Sequence, residues 1–155
     1  MRYFGGCDVG STYTKAVIID ETGKILSNTT VRSKINSEQS ARMAMDDVLE
    51  KAELSDSKQL DYLVGTGYDR NKVPFADENI SEISCHAMGV HVSNPAVKAI
   101  IDIGGQDVKG ISIDTDGTVK NFAMNDKCAA GTGRFYEAMA NAFEMTLPEF
   151  SKLSL

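Results

Sequence analysis

The string DVGSTYTK at 8–15 concentrates the residue types that handle a metal and a phosphate. Asp8 can hold Mg²⁺, through water, because that ion gives up its hydration shell reluctantly. Gly10 lets the backbone approach a phosphate or take a positive φ without a clash. Ser11, Thr12 and Thr14 supply hydroxyls beside backbone amides, and Lys15 can counter phosphate charge. A tight hairpin with a capping aspartate would use the same residues, and one short glycine motif does not decide between the two.

The pattern returns 94 positions later. DVGSTYTKAVIIDETGKI at 8–25 falls on DIGGQDVKGISIDTDGTV at 102–119, so Asp8 meets Asp102, Gly10 meets Gly104, Lys15 meets Lys109, Asp20 meets Asp114 and Gly23 meets Gly117. Self-similarity at a fixed offset marks a duplicated unit. In the second tip, Asp102 would bind the same metal from the other side, with Asp107 as a further carboxylate. Gly104 and Gly105 would admit a terminal phosphate. Gln106 either orients an attacking water, as glutamine does in some nucleotide hydrolases, or closes the turn with a hydrogen bond. Two such tips facing each other would clamp a nucleotide.

Positioning these tips takes strands. Residues 2–9 and 14–20 read as buried strands, the second rich in β-branched side chains. A turn at Thr22-Gly23 leads to a third strand near 24–33. Ser37 opens a helix, with Ala41, Ala44, Val48, Leu49 and Ala52 at helical spacing. Residues 60–65 look like a fourth strand, and Ile80, Ile83, Ala87, Met88 and Val90 like a second helix. Asn94-Pro95 breaks the chain and divides a domain at 1–94 from a second at 95–155. The second copy supplies strands near 97–103, 107–113 and 118–124, then a helix near 133–144 with Phe135, Ala138, Met139, Ala142 and Phe143 on one face. Pro148 starts a further helix, with Phe150 and Leu153 as core contacts. The first copy runs β-β-β-α-β-α and the second only β-β-β-α, so the second domain reads as truncated.

Bulk properties exclude several classes. The 155 residues are 42% hydrophobic and 25% charged, as in a soluble globular protein. No apolar run approaches the roughly 20 residues of a membrane span. The start of the chain lacks a signal-peptide pattern, which reads as cytoplasmic. A net charge of −6 with dispersed Lys and Arg argues against nucleic acid as a partner. Cys7, Cys85 and Cys128 are too few and too far apart for a disulfide framework. Cys7 reads as a core strand residue and Cys85 as structural. Cys128 reads either as a small buried turn residue or as a metal ligand.

The paired tips resemble the phosphate-1 and phosphate-2 loops of the acetate and sugar kinase/Hsp70/actin superfamily. NDKCAAGTGRF at 125–135, with DVGSTYTK, TGYDR at 66–70, EISCHA at 82–87 and DIGGQD, narrows the likeness. Together they are similar to the BadF/BadG/BcrA/BcrD ATPase family, and within it to activators of 2-hydroxyacyl-CoA dehydratases. The resemblance implies an α/β, actin-like ATPase of duplicated ribonuclease-H-like domains that binds ATP and Mg²⁺. It implies a homodimer with one [4Fe–4S] cluster shared between two subunits, Cys128 matching the first cysteine ligand of each. ATP hydrolysis would drive one low-potential electron, taken from reduced ferredoxin or flavodoxin, into an acyl-CoA dehydratase or reductase component. A thiolate before a helix gains from its dipole, and the amides near Gly131 and Gly133 would donate to cluster sulfurs.

Two departures accompany the likeness. The second cysteine ligand and the adenosine-holding region fall beyond Leu155, which makes the chain read as a fragment or truncated product. Asp69 stands where the TGY-x-R turn calls for Gly. Two rivals remain open at this level: a small-molecule (amino-sugar) kinase of the same fold, with no use for Cys128, and a non-catalytic fragment.

Overall fold

The computed structural model describes residues 1–125 and 127–153. It divides into two compact units, Met1–His86 and Ala87–Leu155. In the first, β1 (Tyr3–Val9), β2 (Tyr13–Asp20) and β3 (Ile25–Arg32) form an antiparallel meander, followed by α1 (Ser37–Lys51) and β4 (Tyr62–Thr66). A two-residue strand, β5 (Glu78–Asn79), completes a sheet of order β3-β2-β1-β4-β5. β4 runs parallel to β1, and β5 parallel to β4. β5 has too few residues to leave a periodic signal, and the sequence reading missed it. Helix α2 (Glu82–Ser93) carries the chain into the second unit.

The first unit has the main core. α1 lays Ser40, Ala41, Ala44, Met45, Val48 and Leu49 on one sheet face, where Cys7, Val9, Ala16, Ile18 and Leu63 meet them. Asn36 caps α1, its side chain accepting from the Gln39 amide at 3.1 Å, so the cap lies one residue before Ser37. β2 alternates buried and accessible positions rather than being buried on both faces. That alternation follows from a sheet covered by one helix: the face with Lys15 has no equivalent cover.

In the second unit, β6 (Ala99–Ile103), β7 (Val108–Ile113) and β8 (Val119–Asn125) form an antiparallel sheet of order β6-β7-β8. α3 (Gly133–Ala142) and α4 (Leu147–Lys152) follow. α4 starts with a capping box in which Thr146 and Glu149 bond reciprocally, with Pro148 in the first turn. The helices lie where the periodicity predicts, but their apolar faces are less covered than expected. Ala140 is the buried residue of α3, Phe143 is 59% exposed, and Leu153, expected in a core, is 64% exposed. Phe150 instead stacks on Phe143, with ring centroids 5.9 Å apart.

The duplication extends to detail. Asp8 pairs with Lys15 across β1–β2, and Asp102 pairs with Lys109 across β6–β7. The irregularity between Ile18 and Ile19 recurs between Ser112 and Ile113, again 94 residues on. Gly23 and Gly117 both take positive φ, +83° and +85°. The turn bonds recur too: Gly23 N–H donates to Asp20 O, and Gly117 N–H to Asp114 O.

No helix among the described residues is long and apolar enough to cross a membrane.

Candidate functional site

In the first tip, the Asp8 carboxylate accepts from Lys15 Nζ at 2.9 Å. A side chain at Gly10 would bring its Cβ within 2.7 Å of Tyr13 O, so the tip needs glycine there. Ser11 is exposed and Thr12 half-buried in the β1–β2 turn. Thr14 is fully buried, and its hydroxyl lies 2.9 Å from Ser33 Oγ, which donates to Gly10 O at 2.7 Å. Thr14 therefore acts on the tip from beneath, by fixing the Gly10 peptide through Ser33.

β4 brings a further residue to this edge. Thr66, its last residue, sits beside Asp8 in parallel register, so Asp8 has Lys15 on one side and Thr66 on the other. The next residue, Gly67, has φ +94°, and a Cβ there would run into the Asp8 carboxylate. Asp69 N–H donates to Val9 O at 3.1 Å, folding the loop back over the end of β1. Asp69 also accepts from Ser37 Oγ at 2.6 Å, tying that loop to the start of α1. Its φ of −101° needs no glycine, so the departure at this position is tolerated and gains a contact.

Among the described residues, buried side-chain polar atoms without a hydrogen-bond partner are Thr12 Oγ1, Thr66 Oγ1 and His91 Nδ1. Leaving such a group unpaired costs about 1–3 kcal/mol. Two of the three belong to the edge that carries Asp8. A carboxylate, a lysine and two unsatisfied hydroxyls at one strand edge fit a hydrated magnesium–phosphate.

The second tip is tighter. Lys109 Nζ lies 2.7 Å from Asp107 Oδ2 and 3.6 Å from Asp102 Oδ2, and its side chain is only 3% exposed against 49% for Lys15. Lys109 was not singled out as a site residue from sequence. The signal was present, since it falls on Lys15 in the repeat. Gly104 N–H donates to Asp107 O at 2.9 Å, closing the turn through backbone. Gln106 is exposed and leaves that closure to others.

Gln106 shares a cavity of about 320 Å³ with Lys127, Cys128, Ala129, Thr132 and Arg134. Cys128 is exposed there, which removes the buried-turn alternative. Thr132 is fully buried and donates from Oγ1 to Ala129 O at 2.6 Å. The first turn of α3 docks on the second tip: Gly133 N–H donates to Gly104 O and Arg134 N–H to Gly105 O, both at 2.9 Å. This corrects one expectation. The Gly133 amide is committed to a carbonyl and does not point at a cysteine-bound group.

The described residues contain no group of three or more His, Cys, Asp or Glu side chains placed to hold a metal ion. Cys7 is wholly buried, and burial, with the Asp8 carboxylate adding to it, pushes its thiol up to about 12. Cys85 lies in α2 and is half-buried. The exposed thiol of Cys128 fits a single ligand position of an iron–sulfur group.

A family model described as the BadF/BadG/BcrA/BcrD ATPase family matches residues 6–154. The activator of lactoyl-CoA dehydratase from Anaerotignum propionicum is 46% identical over 151 residues, covering 97% of this chain and 58% of that protein. The crystal structure of component A of (R)-2-hydroxyglutaryl-CoA dehydratase from Acidaminococcus fermentans matches with TM-score 0.89 at 42% identity, over 95% of this chain and 56% of that one. The activator of 2-hydroxyisocaproyl-CoA dehydratase from Clostridium difficile with bound ADPNP matches with TM-score 0.88 at 41% identity, over 95% and 54%. A likeness to MreB 5 of Spiroplasma citri, at 11% identity and TM-score 0.54, bears on the fold alone. The fold is the actin-like α/β class. The chain spans somewhat over half the length of these relatives.

Proposed function

The chain belongs to the BadF/BadG/BcrA/BcrD ATPase family, and on that premise we propose that the whole protein is an ATP-dependent activator of a 2-hydroxyacyl-CoA dehydratase or related acyl-CoA reductase. The observation that carries this reading is the docking of the first turn of α3 on the second tip, with exposed Cys128 and Gln106 of that tip lining one cavity, because it brings an exposed thiol and a nucleotide-binding element together in one unit. A sugar kinase of the same fold has no use for Cys128.

In this reading Asp8 and Asp102 hold the waters of Mg²⁺, which neutralises charge on the phosphates. Gly10, Ser11 and Thr12 present backbone and hydroxyl donors to phosphate oxygens, Thr14 steadies Gly10, and Lys15 turns from Asp8 to the phosphate charge. Gly104 and Gly105 admit the terminal phosphate, Lys109 holds Asp102 and Asp107 in place, and Gln106 orients water. Cys128 is the residue that would ligate iron in a [4Fe–4S] cluster shared between two copies, with reduced ferredoxin or flavodoxin as donor. The domains at 1–94 and 95–155 would each present one tip.

The test is calorimetric titration with Mg–ADPNP and iron analysis on anaerobically prepared full-length protein. Asp8→Asn and Asp102→Asn are each expected to lose about tenfold or more in nucleotide affinity, about 1.4 kcal/mol. Cys128→Ser is expected to bind nucleotide normally and to lose iron. Wild-type protein that bound neither nucleotide nor iron would sink the proposal.

A further inference from the structure

An arginine drawn partly out of water is normally matched by a carboxylate, because its guanidinium cannot shed its charge. Arg2, Arg42 and Arg134 follow that rule, pairing with Asp61, Glu38 and Glu137. Arg70 does not. It is half-buried, and among the described residues its side-chain hydrogen bond goes to a neutral oxygen, Gly67 O, at 3.3 Å. That is long for an N–H···O bond and leaves most of the guanidinium donors uncommitted.

The backbone beneath it is firmly placed. Arg70 N–H donates to Gly67 O, and Arg70 O accepts from the amide of buried Val73. Asp69 N–H donates to Val9 O and the Asp69 carboxylate accepts from Ser37 Oγ, so the turn is bound both to the end of β1 and to the start of α1. Gly67 presses on the first tip: a Cβ there would lie 2.7 Å from Val9 O and would meet the Asp8 carboxylate. Gly67 thus touches Asp8 and carries the Arg70 guanidinium on its carbonyl. Thr66, just before it, adds an unpaired hydroxyl. A carboxylate, a hydroxyl and a loosely held guanidinium therefore share one edge within the Met1–His86 unit.

We propose that Arg70 is a catalytic arginine supplied in cis: with nucleotide bound, its guanidinium leaves Gly67 O and donates to the γ-phosphate oxygens. The inference rests on the reading that the Asp8 edge takes a hydrated magnesium–phosphate. In hydrolysis, water attacks the γ-phosphorus and the bond from that phosphorus to the β–γ bridging oxygen breaks. ADP departs with the electron pair, one proton of the water is released to solvent, and inorganic phosphate remains. Charge spreads over the γ-oxygens as the bonds exchange, and an arginine aimed there is worth about 10³–10⁵ in kcat in GTP-hydrolysing proteins. Lys15 does not duplicate this role: its ammonium is a point charge shared with Asp8, whereas a guanidinium donates through a planar fork.

Steady-state hydrolysis and calorimetry on the full-length protein test the assignment. Arg70→Ala is expected to lose about 100-fold or more in kcat while Mg–ADPNP affinity stays within about threefold. Guanidinium ion added at millimolar concentration is expected to restore part of that loss. In wild-type protein, Mg–ADP with aluminium fluoride, which mimics the phosphoryl group in transfer, is expected to protect Arg70 from phenylglyoxal, read by mass spectrometry, while Mg–ADP alone leaves it reactive. A kcat for Arg70→Ala within about threefold of wild type, or an equal fall in kcat and Mg–ADPNP affinity, overturns the catalytic role and leaves the ATPase reading standing. So does labelling of Arg70 that is the same in both complexes. Wild-type protein that neither binds nor hydrolyses ATP overturns both. The protection measurement decides the matter even if Arg70→Ala does not fold.

Discussion

Lys15 and Lys109 occupy the same place in the repeat and do different work. Lys15 is half-exposed over Asp8, whereas Lys109 is buried between two carboxylates. Exposed ion pairs contribute little, with a median of about 0–1 kcal/mol. Breaking a buried one leaves charge uncompensated and costs about 3–5 kcal/mol. Asp102 and Asp107 keep some access to water, which trims the upper figure. Lys15→Ala is therefore expected to change unfolding free energy by less than about 1 kcal/mol, and Lys109→Ala to cost about 3 kcal/mol, by urea denaturation. Equal effects would show that burial does not distinguish the two tips. The offset of 94 made Lys109 legible as a counterpart of Lys15, but nothing in its neighbours announced its burial.

At the scale of elements, the two glycine turns share a backbone closure, Gly23 to Asp20 and Gly117 to Asp114, but are braced by carboxylates at different positions of the repeat. In the first, Asp20 accepts from Thr22 and Lys24; in the second, Asp116 accepts from Thr118. The hydroxyl of Thr22, with the backbone amides, holds the Asp20 carboxyl below its usual range, and Thr118 does the same for Asp116. Gly23 faces open space, while a Cβ at Gly117 would meet the His91 ring at 2.8 Å. Alanine at a left-handed position costs roughly 1–2 kcal/mol. Crowding adds about 1–3 kcal/mol where a ring must move. Gly23→Ala should then lower the unfolding free energy by the first amount alone and Gly117→Ala by clearly more. A Gly117→Ala no worse than Gly23→Ala would mean that α2 yields freely at His91. The turns themselves were readable as Thr-Gly and Asp-Gly punctuation between β-branched runs. The partner of the second turn was not, because it comes from a helix 26 residues earlier (117 − 91).

For the whole molecule, Cys7 couples stability to alkaline pH. Its thiol titrates at about 12 folded against a reference of 9.0. A group with a raised folded pKa stabilises fully below its unfolded value and loses that contribution as pH climbs towards the folded one. The window is therefore pH 9 to 12, with a slope approaching about 1.4 kcal/mol per pH unit. Wild-type protein should lose about 1.4 kcal/mol more stability than Cys7→Ala between pH 8 and pH 10. Parallel pH profiles for the two would remove Cys7 as the cause. The same burial makes Cys128, rather than Cys7, the thiol expected to react with alkylating agents in the native state.

The sequence by itself determined the repeat, the eight-residue tips and nearly every strand and helix that carries them. Those features are local: alternation, helical spacing and turn glycines act over a few residues, and the repeat shows them twice. Only the tertiary structure decided which polar groups are left for a ligand. Thr14 looked like a phosphate contact and is spent on Ser33, because β2 turns it toward α1. Thr66 looked like part of a motif and proves to be an unsatisfied hydroxyl beside Asp8, because β4 inserts next to β1 at a separation of 58 residues (66 − 8). The Gly133 amide looked free for Cys128 and is taken by Gly104. Each outcome depends on a partner brought in by long-range pairing, and no window of sequence contains both members of such a pair.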